Sequence, residues 1–231
     1  MTSGTYDTTL VILSILIAIA ASYTALDLAG RIKAASGGIA AGSWLITAAL
    51  AMGGGIWSMH FVAMLAFQMP GMEVSYDVGL TILSLLLAIV VTGIGFFVVS
   101  RSNGGWVPLI ASGVLMGVGI AGMHYTGMAG MQMPARLGYN PVWVTASVLI
   151  AIVAAIAALW LAFARTGFLQ KALASVFMGA AVSGMHYTGM LAATYSLDHA
   201  AGHVLAPATF TPLGLALGIA AATFFILGLA L

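Results

Sequence analysis

Three histidines, His60, His124 and His186, sit in copies of one pattern: Met-Gly, four residues, a small residue, Met-His-aromatic, two residues, Met. The copies run Met52–Met64 (MGGGIWSMHFVAM), Met116–Met128 (MGVGIAGMHYTGM) and Met178–Met190 (MGAAVSGMHYTGM), with the histidines 64 and 62 residues apart. Imidazole nitrogen and thioether sulfur are both metal ligands, and soft sulfur selects Cu(I) over zinc, magnesium or manganese. Zinc would favour thiolate, imidazole or carboxylate, but the chain has no cysteine and the motifs hold no Asp or Glu. Neutral ligands leave the charge of a copper ion uncompensated, which favours the monovalent state. An open coordination position there would bind a diatomic gas or allow a change of oxidation state.

Helical spacing decides which donors meet. Four residues separate His60 from Met64, His124 from Met128 and His186 from Met190, so each pair shares a face. Met59, Met123 and Met185 lie about 100° round the helix from their histidines. Gly53, Gly117 and Gly179, seven residues before each histidine, fall beneath it, where a missing side chain would let helices 2, 4 and 6 converge. Tyr125 and Tyr187, with Thr126 and Thr188, are candidates to bond a ligand or support one. The alternative is a tyrosine anchoring the interface and a threonine bonding its own helix.

The elements that must carry these residues are membrane helices. The chain is 62% hydrophobic and only 5% charged, with a mean hydropathy of +1.15. A soluble domain carries charge on about a quarter of its residues. Apolar runs of spanning length at Thr8–Ala29, Ile39–Phe67, Val78–Val99, Trp106–Met131, Val142–Ala164, Ala172–Tyr195 and Phe210–Leu231 predict an all-α, seven-helix polytopic protein. The repeat period equals two helices with their loops. The expected plan is one domain, 1–231, of three parallel two-helix repeats (8–70, 78–134, 142–196) and a final helix (210–231).

Charge placement sets an expected orientation. Arg31, Lys33, Arg101, Arg165 and Lys171 fall in the odd-to-even loops, whereas the opposite loops hold Glu73, Asp77 and Asp198 with Arg136 as their one cation. The positive-inside rule then puts the N-terminus outside, the C-terminus in the cytoplasm and the histidines at one depth near the outer face. Trp44, Trp106 and Trp160 would mark the inner boundary and Trp143 the outer one. The opening MTSGTYDTTL lacks the basic region and cleavage site of a signal peptide. A last helix running to Leu231 without a polar tail suggests a sensor or anchor piece of something longer. The balance of six basic and five acidic groups gives no nucleic-acid footprint.

Three further features have local readings. Asp27 and Arg31 have the i,i+4 spacing of a helix-surface pair. His199 and His203, beside Asp198, would capture a metal at the entrance if helical, or simply lie in a solvated loop. Gln68 and Gln132, with Thr194 as their third counterpart, are expected to cap or cross-link helix ends.

Met123-His124-Tyr125-Thr126 and Met185-His186-Tyr187-Thr188 resemble the signature of the MHYT domain family, and Met59-His60-Phe61-Val62 resembles a degenerate copy. The resemblance covers essentially the whole chain. It implies a bacterial inner-membrane sensor domain, usually fused to a diguanylate cyclase, a phosphodiesterase or a histidine kinase. Copper is the cofactor it implies, with oxygen, carbon monoxide or nitric oxide as signal and Met59/His60, Met123/His124 and Met185/His186 as ligands. The partners that follow are the lipid bilayer, a diatomic gas and a cytoplasmic cyclic-di-GMP enzyme or histidine kinase output, with a homodimer left open. The chain itself is read as a sensor and not an enzyme. Competing readings are a transporter or channel for copper or a small solute, and a membrane oxidoreductase using copper or haem.

Overall fold

The computed structural model describes residues 4–35, 38–69, 71–102, 104–163, 167–197 and 208–230. Among these, seven helices follow one another: α1 (Thr8–Ala34), α2 (Gly38–Ala66), α3 (Val78–Arg101), α4 (Trp106–Ala129), α5 (Pro141–Phe163), α6 (Phe168–Ala192) and α7 (Pro212–Ala230). Six of them, α1 to α6, are long and apolar enough to cross a membrane. Apolar side chains cover their outer surfaces, Ile39, Val107, Val153 and Leu173 among them, as a lipid-facing bundle requires.

Each helix packs on the next, and α6 returns to α1, so the six spanning helices close into a ring with α7 lying outside against α2. Gly53, Gly117 and Gly179 work differently from the sequence expectation. They do not face a common centre. A Cβ on Gly53 would strike the backbone of α3 at Ile89, one on Gly117 that of α5 at Ile152, and one on Gly179 that of α1 at Ile19. Bare glycine therefore seats each motif helix against the odd-numbered helix that follows it round the ring, the close-approach device of membrane packing.

Short antiparallel ladders tie the helix ends on the histidine side, an addition to the expected helices. β1 (Thr5–Tyr6) pairs with β2 (Phe67–Gln68), β3 (Ser75–Asp77) with β4 (Met131–Gln132), and β5 (Ala135–Tyr139) with β6 (Ala193–Leu197). A seventh strand, β7 (Thr209–Phe210), adds to β3. Each of the first three ladders joins the start of one odd helix to the end of the even helix after it. Gln68, Gln132 and Thr194 belong to these strands, opposite Thr5, Ser75 and Gly138, rather than to helix caps.

The caps come from Asp7, Asp77 and Asn140. Asp7 accepts from the amides of Thr9 and Leu10, Asp77 from Leu80, and Asn140 from Val142, at 2.7–3.1 Å. Their own amides donate to the carbonyls of Ala66, Gly130 and Ala192. Satisfying these groups matters because a helix start leaves amides with no partner in the helix. At the opposite end, Asp27 binds Arg31 (3.1 Å) as its spacing foretold, and also Lys171 of α6 (2.7 Å), a cross-helix partner that spacing alone did not reveal. His199, His203, Asp198 and Arg165 lie outside the described residues.

Candidate metal centre

His60, His124 and His186 stand five or six residues before the ends of α2, α4 and α6, and all three are buried. The ring closure turns them toward one another. Nδ1 of His60 lies 3.0 Å from Nδ1 of His186 and 3.2 Å from Nδ1 of His124. One ligand atom from each histidine falls within 4.8 Å of the others. The imidazole centroids are 4.9–5.0 Å apart and the planes are nearly perpendicular, like three blades about an axis.

Small residues make room for that arrangement. The Nε2 edge of His60 rests on Gly127, and that of His124 rests on Gly189; a Cβ at either glycine would overlap the ring. These are the glycines three residues after His124 and His186. The corresponding residue of the first motif is Ala63, also fully buried. The Gly of Met-His-Tyr-Thr-Gly thus serves the histidine of the preceding motif.

The donor set suits a cation. All three Nε2 atoms are buried without a hydrogen-bond partner. The nitrogens that meet are the other ones, Nδ1 of His124 and His186 against Nδ1 of His60, with no carboxylate beside them among the described residues, while a buried polar group without a partner, as each Nε2 is, costs about 1–3 kcal/mol. Imidazoles bound to one first-row ion at about 2 Å stand about 3.5 Å apart, close to the separations found here. The ring nitrogens fit a metal ion.

Six methionines surround the level of the rings, and all are buried: Met59, Met123 and Met185 beside the histidines, and Met64, Met128 and Met190 one turn further on. The methionines at the start of each motif, Met52, Met116 and Met178, are deeper. Together with Ile56, Ile120 and Val182 they line a small apolar void below the histidines.

The aromatic residue after each histidine braces it edge to face, with centroids 4.7–4.9 Å apart at Phe61, Tyr125 and Tyr187. The tyrosine hydroxyls point away from the imidazoles. Tyr125 bonds Ser147 of α5 at 2.7 Å and Tyr187 bonds Ser14 of α1 at 3.1 Å. In the first motif Phe61 has no hydroxyl, and Trp57 takes over: its indole N–H donates to Ser84 of α3 (3.1 Å) and to the Thr81 carbonyl. Each serine donates in turn to the carbonyl three residues earlier. Thr126 and Thr188 are half-buried beside the tyrosines.

Three further tyrosines, outside the repeated Met-His pattern, extend this packing outward. Tyr76 packs on Phe61, Tyr139 on Tyr125 and Tyr6 on Tyr187, with centroids 5.3–6.0 Å apart. Each directly precedes a helix cap, as Tyr6-Asp7, Tyr76-Asp77 and Tyr139-Asn140. That thrice-repeated dipeptide was the available signal.

The family model MHYT, described as a bacterial signalling protein N-terminal repeat, matches residues 2–42, 53–112 and 117–175. The bifunctional diguanylate cyclase/cyclic di-GMP phosphodiesterase MucR of Pseudomonas aeruginosa is 49% identical over 207 residues, which is 87% of this chain and 30% of that protein. The signaling protein YkoW of Bacillus subtilis is 40% identical over 207 residues, 85% of this chain and 25% of its own length. The cyclic di-GMP phosphodiesterase NbdA of Pseudomonas aeruginosa is 39% identical over 199 residues, 84% of this chain and 25% of that protein. The chain thus spans less than a third of the length of these curated relatives. No solved structure matches. The chain belongs to the MHYT family, as a multi-pass membrane sensor domain of bacterial signalling proteins.

Proposed function

We propose that this sensor domain holds copper, as Cu(I), between Nδ1 of His60, His124 and His186, with thioether sulfur from Met59, Met123, Met185, Met64, Met128 or Met190 completing the ligand set. The observation that carries this reading is the approach of two buried imidazole nitrogens, Nδ1 of His186 and Nδ1 of His124, to within 3.0 and 3.2 Å of His60 Nδ1. The soft sulfur of the buried methionines next to each histidine in the chain favours copper over zinc. Haem is disfavoured because the rings already touch, at 4.9–5.0 Å between centroids, and leave no slot for a macrocycle. Copper bound there supplies a redox-active centre able to bind a diatomic gas such as O2, CO or NO. Tyr125, Tyr187 and Trp57 hold the motif helices to α5, α1 and α3, so a shift of any histidine is felt by a neighbouring helix. Such a shift acts as a signal only if the ligand favours one of two helix arrangements.

In this reading the histidine end faces outward across a bacterial inner membrane, with the C-terminus cytoplasmic. The partner is a cytoplasmic output domain of the kind named in the cyclic-di-GMP relatives. Elemental analysis of protein purified without added metal tests it. Copper present in the parent and missing from His124→Ala supports the reading. A parent without copper that also fails to take up Cu(I) anaerobically overturns it.

A further inference from the structure

At the end of the bundle remote from the histidines lies a partly open cavity of about 690 Å³. It is set among the ends of α1, α3 and α5 and the starts of α2 and α4. From His60 to Leu45 in its wall is fifteen residues of α2, or roughly 22 Å of helix. The volume lies within the range of small-molecule sites, about 300–1,000 Å³.

The chemistry of the lining is divided. Leu45, Phe97, Leu109, Leu159 and Phe163 form apolar walls, while Lys33 and Arg101 supply two cations, and among the described residues no carboxylate lines the cavity. Lys33 donates one N–H to the Phe163 carbonyl at 3.1 Å, which fixes its ammonium at the rim with two further donors to offer. The Arg101 guanidinium lies over the Phe97 ring at 5.1 Å. The nearby cations Arg31 and Lys171 are already engaged by Asp27. Trp160 lines the cavity and is half exposed to the bundle's outer surface.

We infer that this cavity binds an acidic phospholipid of the surrounding membrane, its phosphate held by Lys33 and Arg101 and part of a chain lying on the apolar walls. Basic pockets between membrane helices recognise anionic headgroups in this way. Apolar walls together with two cations match an amphiphile better than a free anion. The inference stands independently of the copper reading.

The test uses the full chain in detergent, exchanged into bicelles of phosphatidylcholine with or without phosphatidylglycerol, then examined by native mass spectrometry. One phosphatidylglycerol should remain bound per chain while phosphatidylcholine is stripped. Two variants probe the two halves of the site. Lys33→Gln with Arg101→Gln removes the charge. Gly42→Leu fills the cavity from α2, where a Cβ meets nothing within 4 Å, so the helix tolerates it. Each should lower phosphatidylglycerol retention by about tenfold or more with helical content unchanged. Equal retention of phosphatidylcholine by the parent would overturn the inference, as would full retention of phosphatidylglycerol in Gly42→Leu. Displacement of the lipid by free glycerol phosphate at similar concentration would also overturn it, by showing a site for a soluble anion.

Discussion

His60 Nδ1 and His186 Nδ1, 126 positions apart in the chain, face each other across 3.0 Å in the middle of the bundle. Among the described residues neither ring has a carboxylate to orient it. What holds the pair is shape: Phe61 braced against one ring and Tyr187 against the other, with the bare Gly127 of α4 leaving room for His60.

That dependence on glycine gives a first prediction. Gly189→Ala places a methyl group inside the space taken by His124. We expect a loss of about 1–3 kcal/mol from overpacking, with the imidazole pushed out of register. Ala63→Gly in the first motif removes a methyl group and should cost no more than about 1 kcal/mol. Denaturant unfolding in detergent compares the two; equal effects would mean that the glycines are not there for the rings.

The serine contacts give a second. Tyr125→Phe recreates the first motif's Phe61 but takes the phenol away from Ser147, and Ala121 stands where the first motif has Trp57. The hydrogen bond of 2.7 Å should contribute about 0.5–1.5 kcal/mol. A double-mutant cycle with Ser147→Ala should return a coupling of that order. Purely additive effects would show that the hydroxyl bonds elsewhere.

Alkaline titration supplies a third. Burial, helped by the neighbouring phenols Tyr187 and Tyr125, pushes Tyr6 and Tyr139 up to about 12 from the usual 10.0. A phenol whose pKa is higher in the folded state contributes its full stability below pH 10 and loses it as pH rises through about 12. Phenolate absorbance should therefore lag that of free tyrosine, and unfolding should become easier only above pH 10. Titration of both residues at pH 10 in the Tyr6→Phe and Tyr139→Phe difference spectra would contradict this packing.

Much of this was legible in the residues. Hydropathy located the six spanning helices within a few positions, because lipid exposure imposes a plain composition on every turn. The spacing of His60, His124 and His186 placed them at one depth. What spacing could not supply was the direction of closure round the ring. Gly53, Gly117 and Gly179 share a face with the histidines on a helical wheel, yet they seat neighbouring odd helices, because the imidazoles reach the centre from the side of each helix. The ladders run for two to five residues, too short for a period to show. Trp57 stands in for a missing hydroxyl only through Ser84 on another helix. The Tyr-Asp and Tyr-Asn dipeptides were visible, but they sit just outside the apolar runs, where acidic residues read as loop.

The shared centre itself is best tested by anaerobic titration with Cu(I) of the parent and of His60→Ala, His124→Ala and His186→Ala. A single centre predicts one equivalent bound per chain and loss of that binding in each of the three variants. Several equivalents, or full binding retained by any one variant, would contradict it.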